Sequence, residues 1–328
     1  MAGLQVTALA GGVGAARFLR GVVAYLAEDH PDSHLTIIGN TADDLRLFGL
    51  HVSPDLDTVL YTLGGGVHEQ QGWGRTDETF AVQSELAAYG VEPQWFSLGD
   101  RDIATHIVRT QMLGDYPLSQ VTEALGRRWL APLPVPTRLL PMSDDRVETH
   151  VVVREPLGPP HAIHFQEWWV RHQAQLPAEK IVLVGIEQAQ PAPGVLDAIA
   201  GADVVLLPPS NPVVSIGPIL SVPGVRDAVG SSSAPVVGIS PIIGGRPVRG
   251  MADACLAAIG VESTAAAVAG LYADFLDGWL VDNTDARAAD AMAELGIRTR
   301  MMPLLMNDAA TTRAIAASAI DLALSSRP

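Results

Sequence analysis

Lysine and cysteine are nearly missing from this chain of 328 residues, in which Lys180 is the one lysine and Cys255 the one cysteine. A Walker-type phosphate loop needs a lysine directly after a run of glycines, whereas Lys180 follows Pro177-Ala178-Glu179. A protein kinase likewise needs a strand lysine on its phosphates. A single cysteine excludes an internal disulfide, a cysteine-rich zinc site and a paired-cysteine redox motif. These absences leave phosphate binding, if there is any, to backbone amides, a metal or arginine.

Positive charge is also scarce, since 21 basic side chains stand against 36 acidic ones and the net charge is −15. Such an acidic surface repels nucleic-acid backbones, so we expect no nucleic-acid partner. No apolar run approaches the roughly 18 residues of a membrane span, and no basic segment precedes the first apolar run. The sequence therefore predicts a cytoplasmic protein without a membrane partner.

Short apolar runs alternate with helical patterns along the chain, which is typical of a parallel sheet covered by helices on both faces. The runs that we predict to be strands are 6–10, 35–38, 181–186, 204–207, 236–239 and 279–281. The helical patterns cover 15–28, 76–89, 102–112, 119–130, 251–259, 263–275 and 311–324. The fold class that follows is α/β, a Rossmann-like α/β/α sandwich with a mostly parallel sheet, formed by residues 1–328 as a single domain.

The stretch from about residue 132 to residue 171 differs in composition from the rest. It holds several prolines, short β-rich runs such as Val147–Val153, and the adjacent Trp168 and Trp169. We expect an inserted, smaller β-containing subdomain or lid, because no linker sets off a second domain. The two tryptophans are more often core residues, although beside such an insertion they are also placed to stack on a flat heterocycle.

A glycine-rich turn joins the first predicted strand to the first helix. Gly11, Gly12 and Gly14 would let an anion approach backbone N–H groups at the positive end of that helix. The dinucleotide fingerprint needs a third glycine where Arg17 stands, and no acid ends the second strand, so an NAD enzyme is disfavoured. Arg17 is placed to assist a phosphate. The alternative is a tight turn in which the glycines serve backbone geometry alone.

Four aspartates fall within 15 residues after the second strand, namely Asp43, Asp44, Asp55 and Asp57. Open α/β sheets bind ligands at the carboxyl ends of their strands, and carboxylates without clustered cysteine or histidine suit Mg²⁺. The pattern predicts a magnesium site for phosphate chemistry, with a spare aspartate to accept a hydroxyl proton. The alternative is that Asp43 and Asp57 cap the helices that follow them.

Two further polar segments stand out in apolar surroundings. His106 and Arg109 share one face of the predicted helix that begins at Asp102. They belong either to a functional site or to a loop end stabilised by salt bridges. Asn211 and Ser215 follow the strand 204–207 in a proline-rich loop. Their uncharged hydrogen-bonding groups suit a base or a ribose.

Several longer segments together resemble the CofD/FbiA family, and they extend over nearly the whole chain. They include Leu9-Ala10-Gly11-Gly12-Val13-Gly14, Asn40…Asp43-Asp44, Ser53-Pro54-Asp55-Leu56-Asp57-Thr58, Gly72-Trp73-Gly74, Leu98-Gly99-Asp100-Arg101-Asp102, His164–Val170, Pro209-Ser210-Asn211-Pro212 and Ser240–Gly244. The tryptophan-rich motifs and the use of arginine in place of lysine resemble the sequences of the actinobacterial branch of this family.

The resemblance implies a Mg²⁺-dependent transferase of coenzyme F420 biosynthesis, commonly a homodimer. Such an enzyme joins the deazaflavin Fo to a phosphoenolpyruvyl or 2-phospho-L-lactyl group carried on guanosine diphosphate. It releases GMP and forms dehydro-F420-0 or F420-0. A second possibility is a nucleotide-sugar-binding regulator of the gluconeogenesis-factor type, which shares the glycine-rich start and the fold.

The resemblance also implies roles for individual residues. Asp44 and Asp57 are the expected catalytic residues and, with Asp43 and Asp55, the expected Mg²⁺ ligands. The substrates would be held by Gly11, Gly12, Gly14, Asn40, Thr58, Trp73, Asn211 and Ser215. Of these, the glycines and Asn211 are expected at the guanosine diphosphate, and Thr58 and Trp73 at the deazaflavin.

Overall fold

A seven-stranded sheet forms the centre of the computed structural model, which describes residues 3–154 and 158–325. The strands are β1 (Gln5–Ala10), β2 (His34–Gly39), β3 (Leu45–Leu47), β4 (Leu50–Val52), β5 (Thr137–Pro141), β6 (Glu148–Val153), β7 (His161–His164), β8 (Ala178–Val184), β9 (Val204–Leu207), β10 (Val236–Ile239), β11 (Ile242–Ile243), β12 (Arg246–Pro247), β13 (Gly278–Val281) and β14 (Arg298–Met301). The central sheet has the order β14-β13-β10-β9-β1-β2-β5, and all its neighbours pair in parallel.

Helices cover both faces of this sheet. They are α1 (Gly12–Asp29), α2 (Pro54–Leu63), α3 (Ala81–Ala88), α4 (Asp100–Met112), α5 (Leu118–Leu130), α6 (Val195–Ala200), α7 (Gly217–Ser221), α8 (Val225–Ser231), α9 (Ala252–Ala258), α10 (Ala265–Gly270), α11 (Arg287–Glu294) and α12 (Ala309–Leu324). Strand β1 shows why both faces are covered. Its Ala8 and Ala10 belong to one buried cluster and Leu9 to another, because successive side chains of a strand point to opposite faces. The predicted α/β/α sandwich with a parallel sheet is confirmed.

The strand order reverses between β1 and β9. From β1 the chain proceeds through α1 to β2 on one side, whereas β9 leads to β10, β13 and β14 on the other. Loops that leave neighbouring strands in opposite directions open a crevice at their carboxyl ends, which is where sheets of this kind bind ligands. The glycine-rich turn after β1 and the proline-rich loop after β9 both lie at this crevice.

A small antiparallel sheet of order β7-β6-β8 lies beside the central one. Its limits differ from those of the expected insertion, because β5 joins the central sheet as an edge strand and the small sheet continues to Val184. The expectation that 181–186 is a strand of the parallel sheet is therefore wrong. Strand β8 is only half-buried, and an apolar run does not specify the sheet that it joins. The lid remains a prediction.

Among the described residues no single helix is long and apolar enough to cross a membrane. Only the bent pair Pro212–Ser221 and Val225–Ser231, with 87° between its two parts, has the required length and composition together. Much of that pair is buried in the protein, including Ile216, Ile219 and Val225.

Candidate active site

A cleft of about 1330 Å³ lies over the carboxyl ends of the central strands. Its walls are formed by residues that follow β1, β9, β10 and β14, together with the first turns of α1 and α2. The segment 165–170, which lies between β7 and β8 of the small sheet, contributes Phe165 and Trp169. The cleft therefore joins the switch point of the sheet to the region that the sequence predicts to be a lid.

The glycines of the first turn allow close approach of other backbone segments. Gly12 has a φ of +69°, which side chains rarely permit. A Cβ atom on Gly14 would lie 2.2 Å from the carbonyl oxygen of Pro209, and one on Gly11 would lie 2.7 Å from Oδ2 of Asp55. The geometric role is thus established, and all three glycines also line the cleft, where their expected ligand contacts remain a prediction.

Asp55 lies in the first turn of α2 and is held by two donors. Nδ2 of Asn40 donates to its Oδ2 at 2.9 Å, and the backbone N–H of Gly12 donates to the same carboxylate. Burial raises the pKa of Asp55 to about 6, against these hydrogen bonds and with a further contribution from the charge of Asp44. Asn40 itself is fully buried beneath the cleft and also donates to the carbonyl oxygen of Val214 at 3.1 Å. The structure thus places Asn40 as a support for Asp55.

Asp43 faces the cleft beside Asp55. Burial raises the pKa of Asp43 well above its usual value, and the negative charges of Asp55 and Asp44 add to that effect. Its Oδ1 is buried and has no hydrogen-bond partner among the described residues. Two neighbouring buried carboxylates without a cation are unfavourable, so this pair has the charge and the ligand type that a hard divalent cation requires.

Asp44 lies behind this pair and is not part of the cleft wall. Its Oδ2 accepts hydrogen bonds from Nε2 of His51 at 2.8 Å and from Oγ of Ser53 at 2.7 Å. The hairpin of β3 and β4 brings His51 back to Asp44. Burial raises the pKa of Asp44, and both hydrogen bonds oppose that shift. Its role as a metal ligand remains a prediction, and its Oδ1 is the atom left without a partner among the described residues.

Asp57 forms a buried two-point ion pair with Arg109. Nη1 of Arg109 donates to Oδ2 of Asp57 at 2.9 Å, and Nη2 donates to Oδ1. Burial by itself would lower the pKa of Arg109, but the charge of Asp57 and its hydrogen bonds raise it overall. Ser53 occupies the cap position of α2, so the alternative that Asp57 caps a helix is wrong.

A polar chain extends from this ion pair along α4. Nδ1 of His106 lies 3.1 Å from Nη1 of Arg109, and its Nε2 lies 3.3 Å from Oδ2 of Asp102. The hydroxyl of Tyr61 donates to Oδ1 of Asp102 at 2.7 Å. Oxygen and nitrogen atoms of Asp57, Asp102 and His106 lie within 4.8 Å of one another, but the charge of Arg109 disfavours a cation among them. The sequence singled out this helical face without indicating its partners.

The outer part of the cleft is aromatic. Trp73 is 51% exposed and Phe80 is 49% exposed, which is unusual for such large apolar side chains. The guanidinium of Arg249 lies 5.6 Å from the ring centroid of Trp73. Trp168 is fully buried against the small sheet, whereas Trp169 lines the cleft. The sequence indicated Trp73 but not Phe80 or Arg249, since neither belongs to a recognisable motif.

The remaining predicted residues are also at the cleft. Thr58 and Ser215 are buried in its wall. Oδ1 of Asn211 accepts from the backbone N–H groups of Val213 and Val214, at 2.9 and 3.3 Å, and so begins the helical turn that follows. Of the twelve predicted residues the structure brings ten to one cleft and places Asn40 and Asp44 behind it.

Comparison with known proteins gives one family match over most of the chain. The family model described as "2-phospho-L-lactate transferase CofD" matches residues 6–316. Proteins named "Phosphoenolpyruvate transferase" are similar to it. That of Streptomyces griseus is 63% identical over 322 residues, that of Thermobifida fusca is 62% identical over 327, and each alignment covers 98% of both chains. That of Mycolicibacterium smegmatis is 52% identical over 332 residues, covering 98% of this chain and 99% of the relative.

Among solved structures, the chain is similar in fold to a UPF0052 family protein from Bacillus halodurans. The TM-score is 0.62 at 18% sequence identity, and the match covers 98% of this chain and 100% of the other. At that identity the likeness supports the fold alone.

Proposed function

The chain belongs to the CofD family of transferases, and from that membership and the cleft we propose that it makes the phosphodiester of a coenzyme F420 precursor. The donor is a phosphoenolpyruvyl group joined to GMP, so that the two phosphates form one diphosphate, and the acceptor is the ribityl hydroxyl of the deazaflavin Fo. GMP leaves and dehydro-F420-0 forms. The names of the actinobacterial relatives favour the phosphoenolpyruvyl group over the 2-phospho-L-lactyl group.

One observation carries this proposal, namely that a glycine-rich turn and two buried carboxylates share a cleft with an aromatic rim. The turn suits the diphosphate of the donor, because its backbone N–H groups and the start of α1 favour an anion. The exposed rings of Trp73 and Phe80 suit a flat heterocycle such as a deazaflavin. A volume of about 1330 Å³ is large enough for two substrates of this size.

Magnesium fits the residues present. Asp43 and Asp55 face the same cleft, burial disfavours their charges, and Oδ1 of Asp43 has no hydrogen-bond partner among the described residues. We assign the ion to these two carboxylates, with Asp44 behind them. When bound, Mg²⁺ would neutralise phosphate charge that develops during transfer. This assignment differs from the sequence-based expectation, which gave the leading role to Asp44 and Asp57.

The chemistry requires no covalent intermediate with the protein. The ribityl oxygen attacks the phosphorus next to the three-carbon acid, a new P–O bond forms, and the bond to the GMP phosphate breaks. The hydroxyl proton passes to a carboxylate of the cleft. We assign that role to Asp57, because a carboxylate has about four lone-pair positions and Arg109 uses two of them. Arg109 and His106 would hold Asp57 in position.

The test is to incubate the purified protein with Fo, the guanosine-linked donor and Mg²⁺, and to analyse the products by mass spectrometry. We expect GMP and an Fo extended by the three-carbon phosphodiester. Chelation by EDTA should stop the reaction, and added Mg²⁺ should restore it. If neither GMP nor the extended product forms, the proposal is wrong.

A nucleotide-sugar-binding regulator would have the same fold, so the fold does not separate the two functions. Titration of Fo into the protein separates them, because only the transferase needs a deazaflavin site. We expect the wild type to bind Fo and Trp73→Leu to bind it more weakly.

A further inference from the structure

Two arginines lie at the cleft beside the glycine-rich turn and pair with backbone carbonyls. Nη2 of Arg17 donates to the carbonyl oxygen of Glu69 at 3.1 Å. Arg249 donates from Nη2 to the carbonyl oxygen of Gln70 at 3.0 Å and from Nη1 to that of Gln71 at 2.7 Å. Among the described residues neither guanidinium forms a salt bridge with a carboxylate. Both side chains line the cleft.

The acid whose charge acts on Arg17, Glu69, already has another partner. The two oxygens of the Glu69 side chain accept hydrogen bonds from Arg20, at 2.7 and 3.1 Å. Burial lowers the pKa of Arg17, and the positive charge of Arg249 lowers it further, so the two cations are near each other. Arg17 and Arg20 therefore share one carboxylate, and Arg249 adds a third positive charge beside them, in a chain whose net charge is −15. A bound anion would relieve this local excess of positive charge.

The segment 68–75, here called the 68–75 loop, connects the two arginines to the glycine-rich turn. A Cβ atom on Gly72 would lie 2.6 Å from Cγ1 of Val13 and 2.8 Å from Nη1 of Arg249. The φ of Gly72 is +80°, so a glycine is required for both space and conformation. Val13 lies between Gly12 and Gly14, so Gly72 brings this guanidinium close to a side chain of the glycine-rich turn.

We propose that Arg17 and Arg249 bind the diphosphate of a nucleotide-linked donor, beside the backbone N–H groups of the glycine-rich turn. The identity of the donor rests on the proposed function, whereas the anion site rests on the arginines themselves. A guanidinium has five N–H donors, of which Arg17 uses one and Arg249 two among the described residues. Hydrogen bonds to charged phosphate oxygens are about twice as strong as those to neutral carbonyls, so the exchange is favourable.

Binding at this site would also change the surroundings of Trp73. The ring of Trp73 lies against Arg249, and the 68–75 loop is tied to both arginines through its carbonyl oxygens. When the guanidinium groups turn toward a diphosphate, the loop loses these bonds. The tryptophan fluorescence should therefore report binding, and a Trp73→Phe variant should lack that part of the signal.

The experiment measures binding of GDP, GMP and inorganic pyrophosphate by calorimetry and by tryptophan fluorescence. The variants are Arg17→Met and Arg249→Met, and the control is Arg127→Met, an exposed arginine of α5 that pairs with Glu123. We expect each cleft variant to bind GDP and pyrophosphate at least about tenfold more weakly than the wild type. The control should bind both like the wild type.

Unchanged affinity for GDP and pyrophosphate in both cleft variants would overturn the proposal, whatever the transferase assay shows. If the cleft variants lost affinity for GMP as strongly as for GDP, the proposal would also be contradicted, because GMP has one phosphate and no diphosphate. Failure of the wild type to form product would count against the proposed function alone, since pyrophosphate binding does not depend on the reaction. Circular dichroism and thermal unfolding of each variant show that the folded protein is being compared.

Discussion

The ion pair of Asp57 and Arg109 gives the most direct test of how this site is held together. The side chains are 6% and 2% exposed, so removal of either partner leaves the other charge almost without water. Breaking a buried pair in this way costs about 3 to 5 kcal/mol. We expect a cost of this size for Arg109→Met, and a smaller one for Asp57→Asn, because Asp44 and Asp102 remain to stabilise Arg109.

The double variant Asp57→Asn/Arg109→Met should be much less destabilised than the sum of the two single variants. Neither charge remains in it, so the penalty of an unpaired buried charge disappears, and we expect a coupling energy of about 2 to 3 kcal/mol. Denaturation by urea of the four proteins gives the cycle. The same cycle on the exposed pair of Glu123 and Arg127 is the control and should give about 0.5 kcal/mol or less.

Additive effects, within about 0.5 kcal/mol, would refute the view that the pair acts as one buried unit. A second measurement concerns chemistry. In buffer without urea, at a temperature well below that of unfolding, the folded Asp57→Asn protein should lose most of its turnover. The reason is that its amide does not accept the hydroxyl proton. Near-normal turnover would leave Asp57 with a structural role only. The pairing with Arg109 makes a loss of stability a further expected result for this variant.

Three other changes test the glycine-rich turn and the metal site. Gly14→Ala should lower the free energy of unfolding by about 1 to 3 kcal/mol, since its Cβ would meet Pro209. The control is Gly270→Ala, where the added Cβ has open space and should stabilise α10 by up to about 1 kcal/mol. Without Mg²⁺, stability of the wild type should fall as the pH rises from about 4 through 6, because Asp55 binds its proton more tightly when folded. Asp55→Asn should flatten that slope. At pH 7.5 we expect Mg²⁺ to raise the melting temperature of the wild type but not that of Asp55→Asn, and an equal rise in both would exclude Asp55 as a ligand.

Local features of the fold follow from the sequence because they depend on neighbours along the chain. The apolar runs of β1, β2, β9, β10 and β13 and the glycine turn are encoded within a few residues each, and the order of elements implies parallel pairing. The helix expected at 76–89 begins only at Ala81, since Asp77 has a φ of +53° that ends regular structure there. Strand β5 is short and proline-flanked, so its place in the central sheet was not visible.

The sequence by itself determined which groups are available at the carboxyl ends of strands, namely glycines that suit an anion and aspartates that suit a cation. Only the tertiary structure decided how these groups divide the work. Asp57 and Arg109 are 52 residues apart, and they meet because α2 and α4 both pack against α5. Position and partners distinguish Asp43 and Asp55, which line the cleft, from Asp44, which His51 and Ser53 hold behind it. Four aspartates that are alike in a sequence differ in the protein because the free energy of a charge depends on its water and its partners, and both are set by the fold.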